Sequence, residues 1–477
     1  MKKIRNFRLP SALVAGCLVL SMVACKGGKD GSADDSKVTL RLWATPNTSR
    51  PKEDLEKLVE AFKAKNPDID VQVEILDWSA AWTKITTAAT SGAGPDVVQL
   101  GSTWIASIAD IGSLLPVNDV LEQTRKEMGV DSPFVRATYS YMKPLYADSV
   151  VSMPWLMDVR PLFYRKDVWQ KVGLDIKDAT SSWDKYFAAL EKIKASKLVI
   201  EGQKIEALGM AGKNDWNVVH NIYPWLIGNG GGVVNAEGDS VVLDGEKSVQ
   251  GVLRYLQFIR SGISPKAYLE KTTAQVSAEF DQGRIATWQE SSTKLVYLER
   301  PVEQGGAGST YAARNYGTTL PPAGPAGRRL FVGGSQLAIF RSTTHPKEAK
   351  ALLKFLTTDT SVVLEYCKLS GMAPALRSVF SSPYFSSNEN RRLFKDLADY
   401  GVPYPAVPYW GELETSILNT HFGNILDIAA EVNGPYDEAK VRNELKVAAD
   451  QIRALIKDQL EKKPQYVAKL QALKAAR

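Results

Sequence analysis

Two hydrophobic periods take turns along residues 38–100, and their alternation leaves few folds open. Val38, Leu40 and Leu42 alternate with polar neighbours, which predicts a strand buried on one side. Pro51 can open a helix whose Leu55, Leu58, Val59 and Phe62 share one face, and Pro67 follows its end. Val71, Val73 and Ile75 then alternate as a second strand. A helical stretch from Trp78 to Ser91 runs through Gly92-Ala93-Gly94-Pro95 into a third strand, Asp96-Val97-Val98-Gln99-Leu100. Strands separated by amphipathic helices imply βαβ units, so an α/β fold with a mainly parallel sheet is predicted.

The same helical register returns later. Val249, Val252, Leu253 and Leu256 stand at i, i+3, i+4 and i+7, as do Ala349, Leu352, Leu353 and Leu356. Each reads as a helix covering a sheet with one buried face. The tail from Glu438 to Arg477 is rich in Ala, Lys and Leu and also reads as helical. A length of 477 residues points to at least two domains or lobes, and 44% hydrophobic composition can fill their cores. Gly228–Gly232 and Pro321–Gly327 read as loops. The first is no phosphate loop, because Val233 stands where G-x-G-x-x-G needs its last Gly, and GxxxxGK[ST] is absent.

The first residues bear on location. Lys2, Lys3, Arg5 and Arg8 precede an apolar stretch from Ser11 to Ala24. That stretch is shorter than the ~20 apolar residues a spanning helix needs, and reads as a secretory signal over 1–24. Met22-Val23-Ala24-Cys25 resembles a lipobox, in which the Cys25 thiol would accept diacylglycerol; the other reading is an ordinary signal with a chance Cys. Polar residues follow at once, so 25–36 is predicted to be a flexible linker. Of the three Cys, Cys17 would leave with the signal and Cys25 would carry lipid, leaving Cys367 without an internal partner. The net charge of +6 includes four cations and no acids before residue 25, leaving about +2 and no long basic run. No nucleic-acid role is expected.

Several further segments resemble the extracellular solute-binding proteins of type 1, relatives of the maltodextrin-binding proteins. They are the strand from Val38 to Trp43, Gly94-Pro95-Asp96-Val97-Val98, and Ser152–Arg160 running into Leu162–Asp167. Phe280–Ala286, Gly333-Gly334-Ser335 before Leu337-Ala338-Ile339, and Gly371-Met372-Ala373-Pro374 with Arg377 complete the series. The resemblance implies a periplasmic-binding-protein-like type II fold, two α/β lobes joined by hinge strands that cross near residues 153, 291 and 340. It places 37–152 and 292–340 in the N-terminal lobe and 153–291 and 341–477 in the C-terminal lobe. It further implies the binding component of an ABC importer, which captures a sugar, an oligosaccharide by expectation, and passes it to permease subunits. No cofactor is expected, the chain is expected to be a monomer, and membrane contact is expected through the lipid anchor alone, on the periplasmic or extracellular face.

A sugar offers apolar C–H faces to aromatic rings and hydroxyls to carboxylates, amides and Arg. Asp158 matches a family position that accepts sugar hydroxyls, and Arg160 lies beside it; a structural salt bridge is the alternative. Ser102, Thr103 and Trp104 follow the third strand, where open α/β sheets place ligands, although Trp104 could instead start the core of the next helix. Asn47 and Thr48 match a cleft loop, or make an ordinary turn. Tyr223 and Trp225 are preferred to His220 in a polar–aromatic cluster. Trp288, Gln289 and Glu290 stand at the second crossing, where relatives carry their aromatic slightly later, at the place of Ser292 and Thr293. Gly333 and Gly334 could admit a solute to backbone N–H groups or close a turn. Arg377 matches a cleft arginine, and Trp410 resembles a late aromatic that closes over the sugar.

The rival is a glycoside hydrolase, which needs two carboxyls about 5–10 Å apart; Asp158, Glu290 and Glu412 are its candidates. Ser-x-x-Lys recurs by chance at Ser49, Ser182 and Ser291 without its partner motifs, and Gly333–Leu337 misses G-x-S-x-G at its last position. Three scattered His and one internal Cys argue against a metal site or a Cys–His nucleophile. An adhesion lipoprotein would tend to be repeat-rich or all-β, which this chain is not.

Overall fold

A computed structural model describes residues 37–213, 215 and 217–475. The signal, the linker and Cys25 lie outside the described residues.

The three early strands form as expected. Val38–Ala44 pairs in parallel with Ile69–Ile75 along its full length and with Val97–Gly101 on its other side. The helix Pro51–Lys65 has Pro in its first turn, Glu53 and Asp54 near its N-terminus and Lys63 and Lys65 near its C-terminus. Those charges oppose the helix dipole at both ends. It buries Leu55, Leu58, Val59 and Phe62, the face read from the sequence. Trp78–Ser91 starts at Asp77, whose carboxylate accepts from the Ser79 N–H, and stops at Gly92 in the left-handed region at φ 70°.

Leu330–Ile339 enters this sheet antiparallel to both neighbours, between Val97–Gly101 and Ser152–Val159. Ala373–Pro374 adds beyond Ser152–Val159, and Gly401–Val402 pairs with the start of Leu330–Ile339. A second sheet has three strands, with Leu162–Arg165 between Thr287–Gln289 and Tyr316–Thr319. Beside it, the helices Trp183–Ser196, Val218–Gly228, Glu246–Arg260, Asn419–Ala430 and Glu438–Lys462 contribute to one apolar core.

Pairing and packing divide the chain differently from the expected bounds. Ser152–Val159 belongs to the first sheet, and Tyr316–Thr319 to the second. The helix Pro346–Thr358 turns Ala349, Leu352, Leu353 and Leu356 onto the first sheet, beside Pro51–Lys65, and Thr360–Ser370 joins them. By strand membership the chain passes between the two sheets at 159–162 and 319–330, and Tyr404 joins the second core just after Val402. The apolar stripe of Pro346–Thr358 requires a sheet to cover, and the one it finds is the sheet that Leu330–Ile339 has just completed.

Candidate functional site

A cavity of about 700 Å³ opens between the two halves. From the first half it is walled by the loop Asn47-Thr48-Ser49 and by Leu369 and Ser370. From the second come Thr272, Thr273, Ser277 and Asp281 around the helix Thr273–Asp281, then Glu290. Lys294, Tyr297 and Arg300 stand on or beside the helix Thr293–Glu299, which packs on Thr360–Ser370 of the first. Hydroxyls, carboxyls, an amide and cations thus meet across one space.

The loop at Asn47 is held from beneath. Its Nδ2 donates to Gln99 Oε1 at 3.1 Å and to the Tyr366 hydroxyl at 3.3 Å. Gln99 Nε2 in turn donates to Ser335 Oγ at 2.7 Å, and the Thr45 N–H donates to Gln99 Oε1 at 3.0 Å. Tyr366 stacks on Trp155 with ring centres 4.7 Å apart. Gln99 and Tyr366 were not singled out from the sequence, although a Gln inside the apolar run Val97–Gly101 was the available signal. Thr48 Oγ1 is buried and has no protein partner.

Register brings Gly333 opposite Asp158 and Gly334 opposite Met157. Gly334 adopts φ 131°, and a Cβ there would lie 2.2 Å from the Leu156 carbonyl oxygen. The Ser102 N–H donates to the Gly334 carbonyl at 2.9 Å. The glycine pair thus lets strands approach closely. Asp158 Oδ2 accepts from Arg160 Nε at 3.1 Å and Nη2 at 3.0 Å, while its Oδ1 is buried without a protein partner. Burial works against the Arg160 charge, but Asp158 and Glu290 more than offset it, and its pKa is raised. Burial pushes the Glu290 carboxyl up to about 7 despite the Arg160 charge, and its Oε1 accepts from the Ser291 N–H at 2.9 Å. Gln289 Nε2 donates to the Arg160 carbonyl at 3.4 Å.

The cavity also holds an ion pair that sequence reading missed. Lys294 Nζ lies 2.6 Å from Asp281 and donates to Ser277 Oγ at 2.7 Å. Burial dominates both members, lowering the Lys294 pKa and raising that of Asp281. Asp215 closes the same wall, accepting from the Thr273 N–H at 2.6 Å and its hydroxyl at 2.9 Å.

Most of the expected aromatics are packed elsewhere. Trp410 is 1% exposed and stacks on Tyr404 at 4.5 Å. Tyr223 is buried and donates to the Pro403 carbonyl, and Trp225 packs on Trp183 at 4.6 Å and Phe258 at 5.1 Å. Trp288 is buried opposite Phe163. None of these four lines the cavity. Thr103 and Trp104 are half-buried. Trp104 meets Trp78 and Trp82 at 5.4 and 5.7 Å, forming a patch in which Trp78 stays 39% exposed. Arg377 is exposed, with its N–H on the Pro133 carbonyl. Behind Arg160, His220 stacks on Phe331 at 4.3 Å and its Nδ1 lies 2.6 Å from the Tyr404 hydroxyl. Burial, then the Arg160 charge, holds His220 well below its usual pKa.

Of the three carboxylates considered for hydrolysis, only Glu290 lines the cavity. Among the described residues no group of three His, Cys, Asp or Glu could hold a metal, and no helix is long and apolar enough to cross a membrane.

The comparisons agree with this architecture. The chain is 25% identical over 458 residues to the diacetylchitobiose binding protein DasA of Streptomyces coelicolor, covering 90% of this chain and 98% of that one. The sugar-binding protein MalE from Xanthomonas citri superposes with a TM-score of 0.73 at 22% identity, over 89% of this chain and 99% of its own. Maltose-bound MalE3 of T. maritima superposes with a TM-score of 0.69 at 20% identity, over 88% and 100%. The two superpositions establish the periplasmic-binding-protein type II fold expected from the sequence. A family model matches residues 45–362, and with that match the chain belongs to the bacterial extracellular solute-binding proteins.

Proposed function

We propose that this protein is the lipid-anchored capture component of an ABC importer, holding a sugar between its halves and passing it to membrane permease subunits. The observation that carries the reading is the cavity walled from both halves, whose buried Thr48 Oγ1 and the neighbouring Asp158 Oδ1 lack protein partners. Such acceptors suit hydroxyl donors, and Glu290, protonated below about pH 7, can donate in return. A solute touching both halves stabilises their approach by its differential affinity for that state. DasA and the MalE proteins, named for carbohydrates, support an oligosaccharide as the class.

A thermal-shift screen over mono- and oligosaccharides, followed by calorimetry, tests this. Saturable binding with the sugar recovered intact supports capture, while released products would support hydrolysis instead. Asp158→Ala is expected to weaken binding about 10- to 100-fold, as loss of a charged hydrogen-bond acceptor does. Unchanged affinity in that variant would remove Asp158 from the site.

A further inference from the structure

The last helix, Pro464–Ala475, buries only Tyr466 and Leu470 of its own residues. Its position is set by what it grips. The Tyr466 ring lies on Tyr146 at 4.5 Å with 19° between planes, and Leu470, Leu460 and Leu145 complete a small cluster, of which Leu145 and Leu460 also pack against the second core. Lys463 pairs with Asp110, at the end of Ile105–Asp110. Lys469 pairs with Asp148 at 2.8 Å and donates to the Tyr146 carbonyl. Asp110, Tyr146 and Asp148 all lie between Val97–Gly101 and Ser152–Val159, strands of the first sheet.

The other end of the tail belongs to the second half. Glu438–Lys462 packs on Asn419–Ala430 and buries Val441, Leu445, Ala448, Ala449 and Ile452 there. Arg453 pairs with Asp244 at 2.7 Å, and Lys474 reaches back to Asp239. Tyr146 itself spans the divide, its hydroxyl donating to the Glu237 carbonyl at 3.0 Å. It does so from φ 71°, a left-handed conformation that a Tyr keeps only where its surroundings enforce it. Tyr466 and Lys469 are among the contacts that surround it, with the Leu145 N–H on the Ala406 carbonyl and the Ala147 N–H on the Pro144 carbonyl.

We infer that Pro464–Ala475 is a strap that fixes how closely the two halves approach and so tunes solute affinity without touching the solute. The inference rests on the capture reading above, but its geometry stands apart from it, since no residue of the strap lines the cavity. In the strapped arrangement the halves meet, with Ser107 Oγ donating to the Pro408 carbonyl at 2.6 Å. Releasing the strap frees Tyr146 to leave the left-handed region and lets the halves separate. A smaller population of the approached state lowers apparent affinity in proportion.

Spin labels at Glu60→Cys and Lys192→Cys, one exposed position on each half, measure the separation directly in the mature protein. Cys367 is buried and does not compete for label. The full chain is expected to give one narrow distance distribution. Lys469→Asp, or a chain ending at Lys463, is expected to give a broader and longer one, and adding Asp148→Lys to Lys469→Asp is expected to restore the narrow form. Affinity for the best sugar from the screen is expected to fall about tenfold in the released variants and recover in the swap. Distributions that do not differ between the full chain and Lys469→Asp would overturn the strap. Because the distance needs no ligand, failure of sugar binding leaves that result readable, and the swap separates release from misfolding.

Discussion

Glu414→Gln tests whether the buried polar cluster behind the cavity costs the fold what its geometry implies. Glu414 is buried in the wide turn Leu413–Leu418, 3.5 Å from His220 Nδ1. Burial opposes its charge and the Trp410 indole N–H relieves part of that, leaving the carboxyl near 7 against an ordinary 4.5. The folded chain therefore holds a proton there that the unfolded chain has released, and stability falls as pH rises from about 4.5 to about 7. At 1.36 kcal/mol per pKa unit the full window is worth about 3 kcal/mol, most of which falls between pH 5 and pH 8. Gln keeps the shape and removes the titration. Urea unfolding at both pH values is expected to show the wild type losing about 2–3 kcal/mol more than the variant. His220 acts in the opposite sense below about 6.5 and lies 3.5 Å from Glu414. The same comparison is therefore made in a His220→Gln background as well, which removes the imidazole from the difference. Parallel losses in the two proteins would refute the reasoning, because the carboxyl would then be as easily ionised inside as outside.

Three further substitutions separate structure from binding. Gly334→Ala places a Cβ 2.2 Å from the Leu156 oxygen at φ 131° and is expected to cost about 2–4 kcal/mol in chemical denaturation. Trp410→Ala empties a fully buried site beside Tyr404 and is expected to cost about 3–5 kcal/mol, so a melting scan registers it even without sugar. Arg165 is buried, donates to both Asp167 oxygens at 2.7 and 2.6 Å and to the Gly283 carbonyl, and faces the Tyr311 ring at 4.4 Å. Arg165→Lys forfeits the fork and is expected to lose about 2–4 kcal/mol by urea titration.

What could be read in advance follows the range of the forces involved. Strands at 38–44 and 69–75 and the helix Pro51–Lys65 declare themselves through period and end signals, which are local. The partner of Pro346–Thr358 does not, because its apolar stripe says that a sheet is covered and leaves open which one. In the site, Asn47 and Thr48 were found because they match a cleft loop after the first strand, and Glu290 because it stands at a crossing that the family resemblance implies; all three line the cavity. Lys294 and Asp281 were missed because a charged pair on a chain segment looks like surface until its burial is known. Trp410, Trp225 and Trp288 show the reverse: a Trp beside polar neighbours suits a sugar platform and a core equally, and only packing decides between them.

The strand Leu330–Ile339 sits in the middle of its sheet, and its Ser335 meets Gln99 across 236 residues of chain. Synthesis thus delivers Val97–Gly101 and Ser152–Val159, the strands on either side of it, long before the piece that joins them. Until residue 339 emerges, Val97–Gly101 and Ser152–Val159 hold unsatisfied edges facing one another, and closing so long a loop is slow. A chain that cannot finish its first sheet early stays open along those two edges until most of its length has been made.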